Sequence, residues 1–368
     1  DAFKELQKRV KDYLWISGDG MKMQGYNGSQ LWDTAFTLQA IAHSGLGENF
    51  PEIIKKGHHY LEITQVLRNN PERAKYFRHI SKGAWPFSTR QHGWPISDCT
   101  SEGLAASLLL QELFPGQCEN TISDQRFFDA VNVLLSYQNS DGGFPSYEPA
   151  RSYSFLEWLN PADCFDGIMI DYSYTECSGA CIKTLCHFKE RYPTHRTAEI
   201  DRAVSRAAKF LKANQRPDGS WHGCWGVCFM YAAWFGVGAL CTAGQRDSKE
   251  VRKALDFILS KQAKDGSWGE DFKSCADRVY VGYKEGHVVS TSWAVLALMT
   301  ASFPEHKDAV ERGIRWLCAR QLANGDYQQQ GIIGVFNYNC GISYSGYKNA
   351  FSVWALGQYI NQYEYGNK

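Results

Sequence analysis

Asp98 stands in the stretch HGWPISDCTSE, beside Cys99 and directly ahead of the apolar run GLAASLLLQELF. A lone carboxylic acid in that place has two readings. It is a helix N-cap, because an aspartate before an apolar periodic run commonly bonds the first free amides of a helix. Or it is a proton donor, if its surroundings are dry and can stabilise the carboxylate left behind. A helix N-terminus favours the ionised form, which suits the cap. Thiols suit the donor: Cys99 is adjacent, and Cys177 lies in a second helix-like run from which it could approach. An acid that generates a carbocation also needs faces of negative charge that cannot themselves react, and aromatic quadrupoles supply them. The chain carries 12 Trp, 20 Tyr and 20 Phe.

Other chemistries find less support. Twelve cysteines in 368 residues, with no regular framework, point to reduced thiols in a cytosol-facing protein. Cys177/Cys181 and Cys224/Cys228 are each four apart, which places each pair on one face of a helix. A zinc site would need further ligands, and His187 is a weak candidate, so the plainer reading is small side chains in a helical core and no metal. Lys plus Arg and Asp plus Glu number 39 each, and the resulting net charge of +0 gives no reason to expect nucleic acid. Residue one is Asp and no signal-peptide pattern follows, which reads as a fragment lacking its N-terminal part.

The elements that would carry Asp98 are helical. Four segments share one pattern: an amphipathic helix, a Gln, an acidic-glycine turn, then an aromatic. They are AVNVLLSYQNSDGGF, AAKFLKANQRPDGSW, ALDFILSKQAKDGSW and GIRWLCARQLANGDY, with the Gln at 138, 215, 262 and 321. The unequal spacings, 77, 47 and 59 residues, describe a repeat that tolerates inserted loops. After each turn comes a second helix-like run that is apolar nearly all round, such as VVSTSWAVLALMTASF. Outer helices polar on one side, alternating with wholly apolar inner ones, predict an all-α fold, an α/α toroid spanning 1–368 as a single domain. GHHYLEITQV followed by GAWPFS reads as a degenerate first copy with a long insertion. Lys4 to Ile16 reads as helical, and Cys224 to Cys241, uncharged throughout, reads as a buried inner helix rather than a membrane span.

The residues reach a family here. DCTSE resembles the DCTAE motif of oxidosqualene cyclases, and the Gln-to-Trp repeats resemble that family's QW motifs. MKMQGYNGSQLWDTAF, IMIDYSYTECSGA, GSWHGCWGVCFMYAAWFG, GSWGEDFKSC and GVFNYNCGISYSGYKNAFSVWALG resemble its other signatures, in its order. The resemblance covers essentially the whole chain and matches the C-terminal half of a full-length cyclase, so the family's N-terminal barrel is absent from this chain. It implies a monotopic enzyme of the endoplasmic reticulum membrane or lipid-droplet surface, cytosolic side. Such an enzyme cyclises 2,3-oxidosqualene through a series of carbocations, with no cofactor and no metal. By match to the motif, Asp98 would protonate the epoxide, with Cys99 and Cys177 hydrogen-bonded to it. Trp32, Phe87, Trp225 and Phe336 fall on positions that line the cavity and stabilise cations. Phe165 and Ile168 fall on cavity positions as well, and Tyr147 matches a tyrosine near the place where the last proton leaves. Tyr26, His92 and Ile96 match members that form cycloartenol rather than lanosterol, where Thr, Cys or Gln, and Val are usual. Ser101 departs from the family's Ala.

Two other readings remain open at this level. Squalene–hopene and diterpene cyclases share the barrel type but generally carry a DxDD-like acid motif, and SDCTSE has one Asp. A non-catalytic helical scaffold is the reading of another class, since a cyclase cavity is enclosed by two barrels.

Overall fold

The computed structural model describes residues 2–17, 20–23, 28–118, 121–162 and 166–365. Helix α1 spans Ala2–Arg9 and precedes a regular alternation of inner and outer helices. Inner α2 (Gln30–His43) is followed by outer α3 (Pro51–Thr64), inner α4 (Ser97–Leu113) and outer α5 (Asp124–Tyr137). Inner α6 (Thr175–Arg191), outer α7 (Thr197–Ala213), inner α8 (Phe229–Thr242) and outer α9 (Lys249–Ser260) come next. The short α10 (Lys273–Asp277), inner α11 (Val288–Ala301), outer α12 (Lys307–Arg320) and inner α13 (Tyr347–Tyr359) complete the order. Each inner helix packs on the next and α13 packs back on α2, so the inner helices close a ring. The fold is an α/α toroid.

The division follows from sequence polarity. Residues 229–240 of α8 and 288–299 of α11 are buried all round, as a helix between two ring neighbours and an outer layer must be. The outer helices bury one stripe: α9 hides Val251, Ala254, Leu255, Phe257 and Ile258 and leaves its charged face in water. Because an outer helix returns the chain after each inner one, the inner helices all start at the same end of the ring.

The repeat is the fastener of this architecture. Gln138, Gln215 and Gln262 each donate twice through Nε2. One bond goes to the carbonyl of the turn glycine four residues on, the other to a carbonyl of the next outer helix, at Ala203, Glu250 and Ala309, all at 2.7–2.9 Å. The turn glycines have left-handed backbones, and a Cβ on Gly219 would meet the Lys253 carbonyl oxygen at 2.2 Å, so the close approach requires glycine. Trp221 and Trp268 send their indole N–H back to the last turn of the preceding outer helix, at Leu211 and Ile258. Each also packs forward, Trp221 against Gly236 of α8 and Trp268 against Gly313 of α12. The degenerate copy works the same way: Gln65 bonds the carbonyls of Gly83 and Arg126, and Trp85 bonds the Leu61 carbonyl.

Three expectations need correction. Helix α1 ends at Arg9; Val10–Tyr13 is a 3-10 turn, and Leu14–Ser17 (β1) pairs antiparallel with Gly20–Met23 (β2). A second small hairpin joins Gly334–Phe336 (β3) to Cys340–Ile342 (β4), whose strands are too short to signal themselves by alternation. The apolar run from Cys224 becomes helical only at Phe229, because Glu176 takes the Cys224 and Trp225 amides and the β3 segment takes the Val227 amide, which keeps its first residues out of the helix. Cys224 and Cys228 therefore do not share a helix face. Among the described residues no helix is long and apolar enough to cross a membrane, and no group of side chains is arranged to hold a metal ion. His187 instead approaches Glu112 at 3.4 Å.

Candidate active site

Helix α4 starts at Ser97, and its N-cap residue is Ile96. Asp98 is therefore inside the first turn, not at the cap, and its Oδ1 accepts the neighbouring Cys99 N–H at 2.9 Å. The cap reading does not hold. Asp98 is 6% exposed, and burial lifts its carboxyl from the ordinary 3.8 to about 7, against the pull of the Cys99 amide and the Cys177 thiol. The buried carboxylates Glu102, one turn along α4, and Glu176, across on α6, add to the rise. With a pKa of about 7 this carboxyl keeps a proton to give well above the range of an ordinary aspartate. Cys177 comes from the first turn of α6, near enough to Asp98 for its thiol to pull the carboxyl pKa down, and Cys99 is the neighbour of Asp98 on α4. Both thiols are buried and are held far above their usual range by burial and by Asp98, so they serve as neutral donors and not as nucleophiles.

Three more carboxylates, Glu176 and Glu270 buried and Asp171 half-buried, hold the segments around Asp98. Asp171 accepts the backbone N–H groups of Ser146 at 3.3 Å, Tyr147 at 2.5 Å and Glu148 at 3.4 Å, and burial pushes it up to about 6. Glu176 accepts from Cys224 and Trp225 at 2.6 and 3.0 Å. Glu270 accepts from Phe229 and Met230, the first two residues of α8, at 2.9–3.1 Å. Those two amides have no partner inside their own helix, so Glu270 supplies from a distant loop the cap that α8 lacks. Sequence inspection missed all three, because each works on backbone far away in the chain.

The aromatic residues form a wall at the same end of the ring. Trp225 meets Phe336 of β3 edge to face, with centroids 5.1 Å apart, and meets Tyr174 at 5.4 Å. Its segment is tied to the β3 segment by the Val227 N–H to the Ile333 carbonyl at 2.8 Å. Trp32, in the first turn of α2, lies 6.2 Å from Phe87 and donates its indole N–H to the Tyr347 hydroxyl. Tyr147 packs on Trp94 at 4.8 Å. Three residues that sequence inspection passed over join this wall: Tyr231, Tyr344 and Tyr347. Tyr344 stacks on Tyr347 at 4.3 Å; burial raises the hydroxyl pKa of both Tyr231 and Tyr344, with a smaller contribution from the Asp98 charge. Their only signal was membership of the CFMYAAWFG and GISYSGYKNAF segments. Ile168 is 39% exposed on a turn, apart from these contacts. Phe165 lies outside the described residues.

A family model described as the squalene-hopene cyclase C-terminal domain matches residues 28–361. The chain belongs to that family. It is 52% identical over 364 residues to cycloartenol synthase of Dictyostelium discoideum, a match covering 98% of this chain and 51% of that protein. Against lanosterol synthase of Homo sapiens it is 48% identical over 370 residues, 98% of this chain and 50% of that one. The chain thus spans about half the length of the curated relatives it matches. The apo structure of the type II terpene cyclase MstE from Scytonema shares the fold, with a TM-score of 0.61 at 15% identity over 95% of this chain and 92% of its own.

Within this cyclase domain the positions that vary around the acid are also fixed. Ile96 is buried directly before α4, its N–H bonded to the Trp85 carbonyl at 3.3 Å. His92 ends a 3-10 turn; its buried Nδ1 has no hydrogen-bond partner among the described residues, and burial lowers its pKa. Tyr26 lies outside the described residues. Ser101 does not rewire the acid. Its hydroxyl donates to Cys181 of α6 at 3.3 Å, stitching two inner helices one turn below Asp98.

Proposed function

We propose that the complete gene product containing this chain cyclises 2,3-oxidosqualene to a sterol precursor, with cycloartenol the expected product. The observation that carries this reading is Asp98: a buried carboxylic acid whose pKa burial lifts to about 7, so that it keeps a proton into the neutral range, with Cys99 and Cys177 beside it and inner-helix aromatics at the same end of the ring. An epoxide oxygen is a weak base, so its protonation needs an acid whose conjugate base is stabilised at once; the Cys99 amide and the Cys177 thiol do this. As the Asp98 proton moves to the epoxide oxygen, the C–O bond breaks and the cation passes along the folded polyene. Trp225, Phe336, Trp32 and Phe87 offer π faces along that course. Tyr147, whose backbone N–H is held by Asp171, matches the family tyrosine near the place where the last proton leaves. The identity to cycloartenol synthase supports the product, as do His92 and Ile96, which match its pattern, with Ile96 at the N-cap of the helix that carries the acid.

The location follows the same reading: a cytosol-facing, monotopic attachment to endoplasmic reticulum membrane or lipid droplet. Its support is the exposed apolar ridge of Tyr153, Phe155, Trp158 and Leu159, with Trp158 90% exposed. A second barrel, contributed by the part of the protein outside this chain, would close the cavity. The test is expression of the complete product in cells lacking an endogenous cyclase, feeding of 2,3-oxidosqualene, and identification of products by gas chromatography and mass spectrometry. Cycloartenol from the wild type and none from Asp98→Asn is the expected result. Unchanged cyclisation by Asp98→Asn would overturn the assignment of the acid, and no cyclic product from the wild type would return the domain to a non-catalytic scaffold.

A further inference from the structure

Cys177 has a second partner besides the acid. Ser146, buried in the loop between α5 and α6, places its Oγ 3.3 Å from Cys177 Sγ. Its backbone is fixed on both sides: its N–H donates to Asp171 Oδ1 at 3.3 Å, and its carbonyl accepts from the Ser97 N–H at 2.7 Å. Ser97 is the residue before Asp98, so the loop that carries Ser146 is anchored to the first turn that carries the acid. The hydrogen positions then follow from counting. A thiol has one hydrogen, and an ionised carboxylate can only accept. With the Cys177 S–H directed at an ionised Asp98, the sulfur presents only lone pairs to Ser146. The Ser146 hydroxyl is then the donor of the 3.3 Å contact.

We propose that Ser146 is a positioning residue for the proton donor: its O–H donates to Cys177 Sγ and so fixes the Cys177 S–H on the Asp98 carboxylate. The proposal rests on the reading of Asp98 as the acid. Ser146 touches no reacting atom in this scheme; it acts through Cys177. Donation into the sulfur polarises the S–H bond, and a chain of hydrogen bonds in a dry site strengthens each member. The consequence is asymmetric. The chain stabilises the carboxylate formed when the epoxide takes the proton, and does less for the neutral acid. Ser146 therefore makes Asp98 a stronger acid than burial alone would leave it.

The measurement is the pH dependence of kcat for the complete gene product and its Ser146→Ala variant. Asp98 acts protonated, so activity falls as pH rises through its pKa. Without the Ser146 donor the carboxylate is less stabilised, the pKa rises, and the alkaline limb moves up by about half a pH unit. A weaker acid also transfers its proton more slowly, so the plateau kcat falls by about three- to tenfold, with KM within about twofold. Ser146→Thr keeps a hydroxyl and restores both limb and plateau. In a Cys177→Ala background, Ser146→Ala moves the limb no further. A lowered kcat with an unmoved limb would mark a merely structural serine, and an equal limb shift in the Cys177→Ala background would mark a path that bypasses the thiol; either overturns the proposal. Should Ser146→Ala fail to accumulate, Ser146→Cys, a weaker donor of similar size, gives the same direction of shift, and an unmoved limb there overturns it equally. If wild type turns over, Asp98→Asn does not, and Ser146→Ala behaves as wild type, the acid stands and this role for Ser146 falls. If Asp98→Asn turns over, both fall.

Discussion

Replacing Asp98 by Asn should end turnover and yet make the protein more stable, increasingly so as pH rises. The sign follows from the direction of the perturbation. Burial raises the carboxyl in the folded state, so the fold holds this proton more tightly than the unfolded chain does. Below about pH 4 both states are protonated and the charge costs nothing. Between about pH 4 and 7 the unfolded chain ionises while the fold does not, and stability drains away. Above about pH 7 the full penalty applies. A rise from 3.8 to about 7 corresponds to about 4 kcal/mol. Asn carries no charge at any pH and keeps an oxygen for the Cys99 N–H, but it gives up one acceptor for the Cys177 S–H, a loss of about 1 kcal/mol. The net gain should be about 3 kcal/mol at pH 8.5, about 2 at pH 6 and none at pH 4. Asp171 titrates in the same window, but it is present in both proteins and cancels from the difference. Denaturant unfolding of wild type and Asp98→Asn, followed by tryptophan fluorescence at those three pH values, measures the gain. A gain that is the same at all three, or a loss at pH 8.5, would show that the carboxyl is solvated and that its proton is not held as argued.

Glu270→Gln should destabilise the protein by about 2 kcal/mol in thermal or denaturant unfolding, because one of the two oxygens that accept the Phe229 and Met230 amides becomes a donor facing donors. Trp225→Leu keeps apolar bulk but removes the π face set against Phe336; loss of about 1–2 kcal/mol of cation stabilisation predicts about a tenfold lower kcat, with partly cyclised products in the mass spectra. Ile96→Val removes one methylene beside the acid, worth about 1–3 kcal/mol of discrimination, and should divert product toward lanosterol-type sterols while total turnover stays within a few-fold.

The architecture was legible because its fastener is local. A Gln, a left-handed glycine and an aromatic within a few residues both end one outer helix and grip the next, so the motif announces the element it terminates. Even Gln65 and Trp85, separated by an insertion, could be read as a worn copy and do make the same bonds. The start of α8 was not legible: CWGVC is as apolar as the helix after it, and it is kept out of the helix by Glu176 and the β3 segment, both remote in sequence. The acid was legible only as a motif. Choosing between cap and donor needed the position of α4's first residue and the burial of the carboxyl, which no local pattern contains. Ser146, Asp171 and Tyr344 were invisible for the same reason, since closing the ring is what brings them to Asp98.

Closing the ring also sets an electrostatic problem that the site's composition answers. Trp32, Asp98, Cys177, Tyr231 and Tyr347 all lie in the first turn of an inner helix, and those helices begin at one end of the toroid. Several helix N-termini therefore surround the site, each carrying about half a positive charge on its free amides. That field helps a carboxylate and opposes a carbocation, the reverse of what a cation-forming site requires. Burial overcomes the first effect at Asp98, whose pKa rises despite its place at a helix start. The second is met by carboxylates that occupy the free amides themselves: Glu270 at α8, and Glu176 and Asp171 on the loops leading to the ring. Glu270 converts the positive end of α8 into satisfied hydrogen bonds, and Glu176 and Asp171 do the same for free amides on the loops. Aromatic faces then supply attraction that cannot be alkylated as a carboxylate could. On this argument the buried carboxylates are not ornaments of the fold; they make the N-terminal end of a helical ring tolerable to a cation.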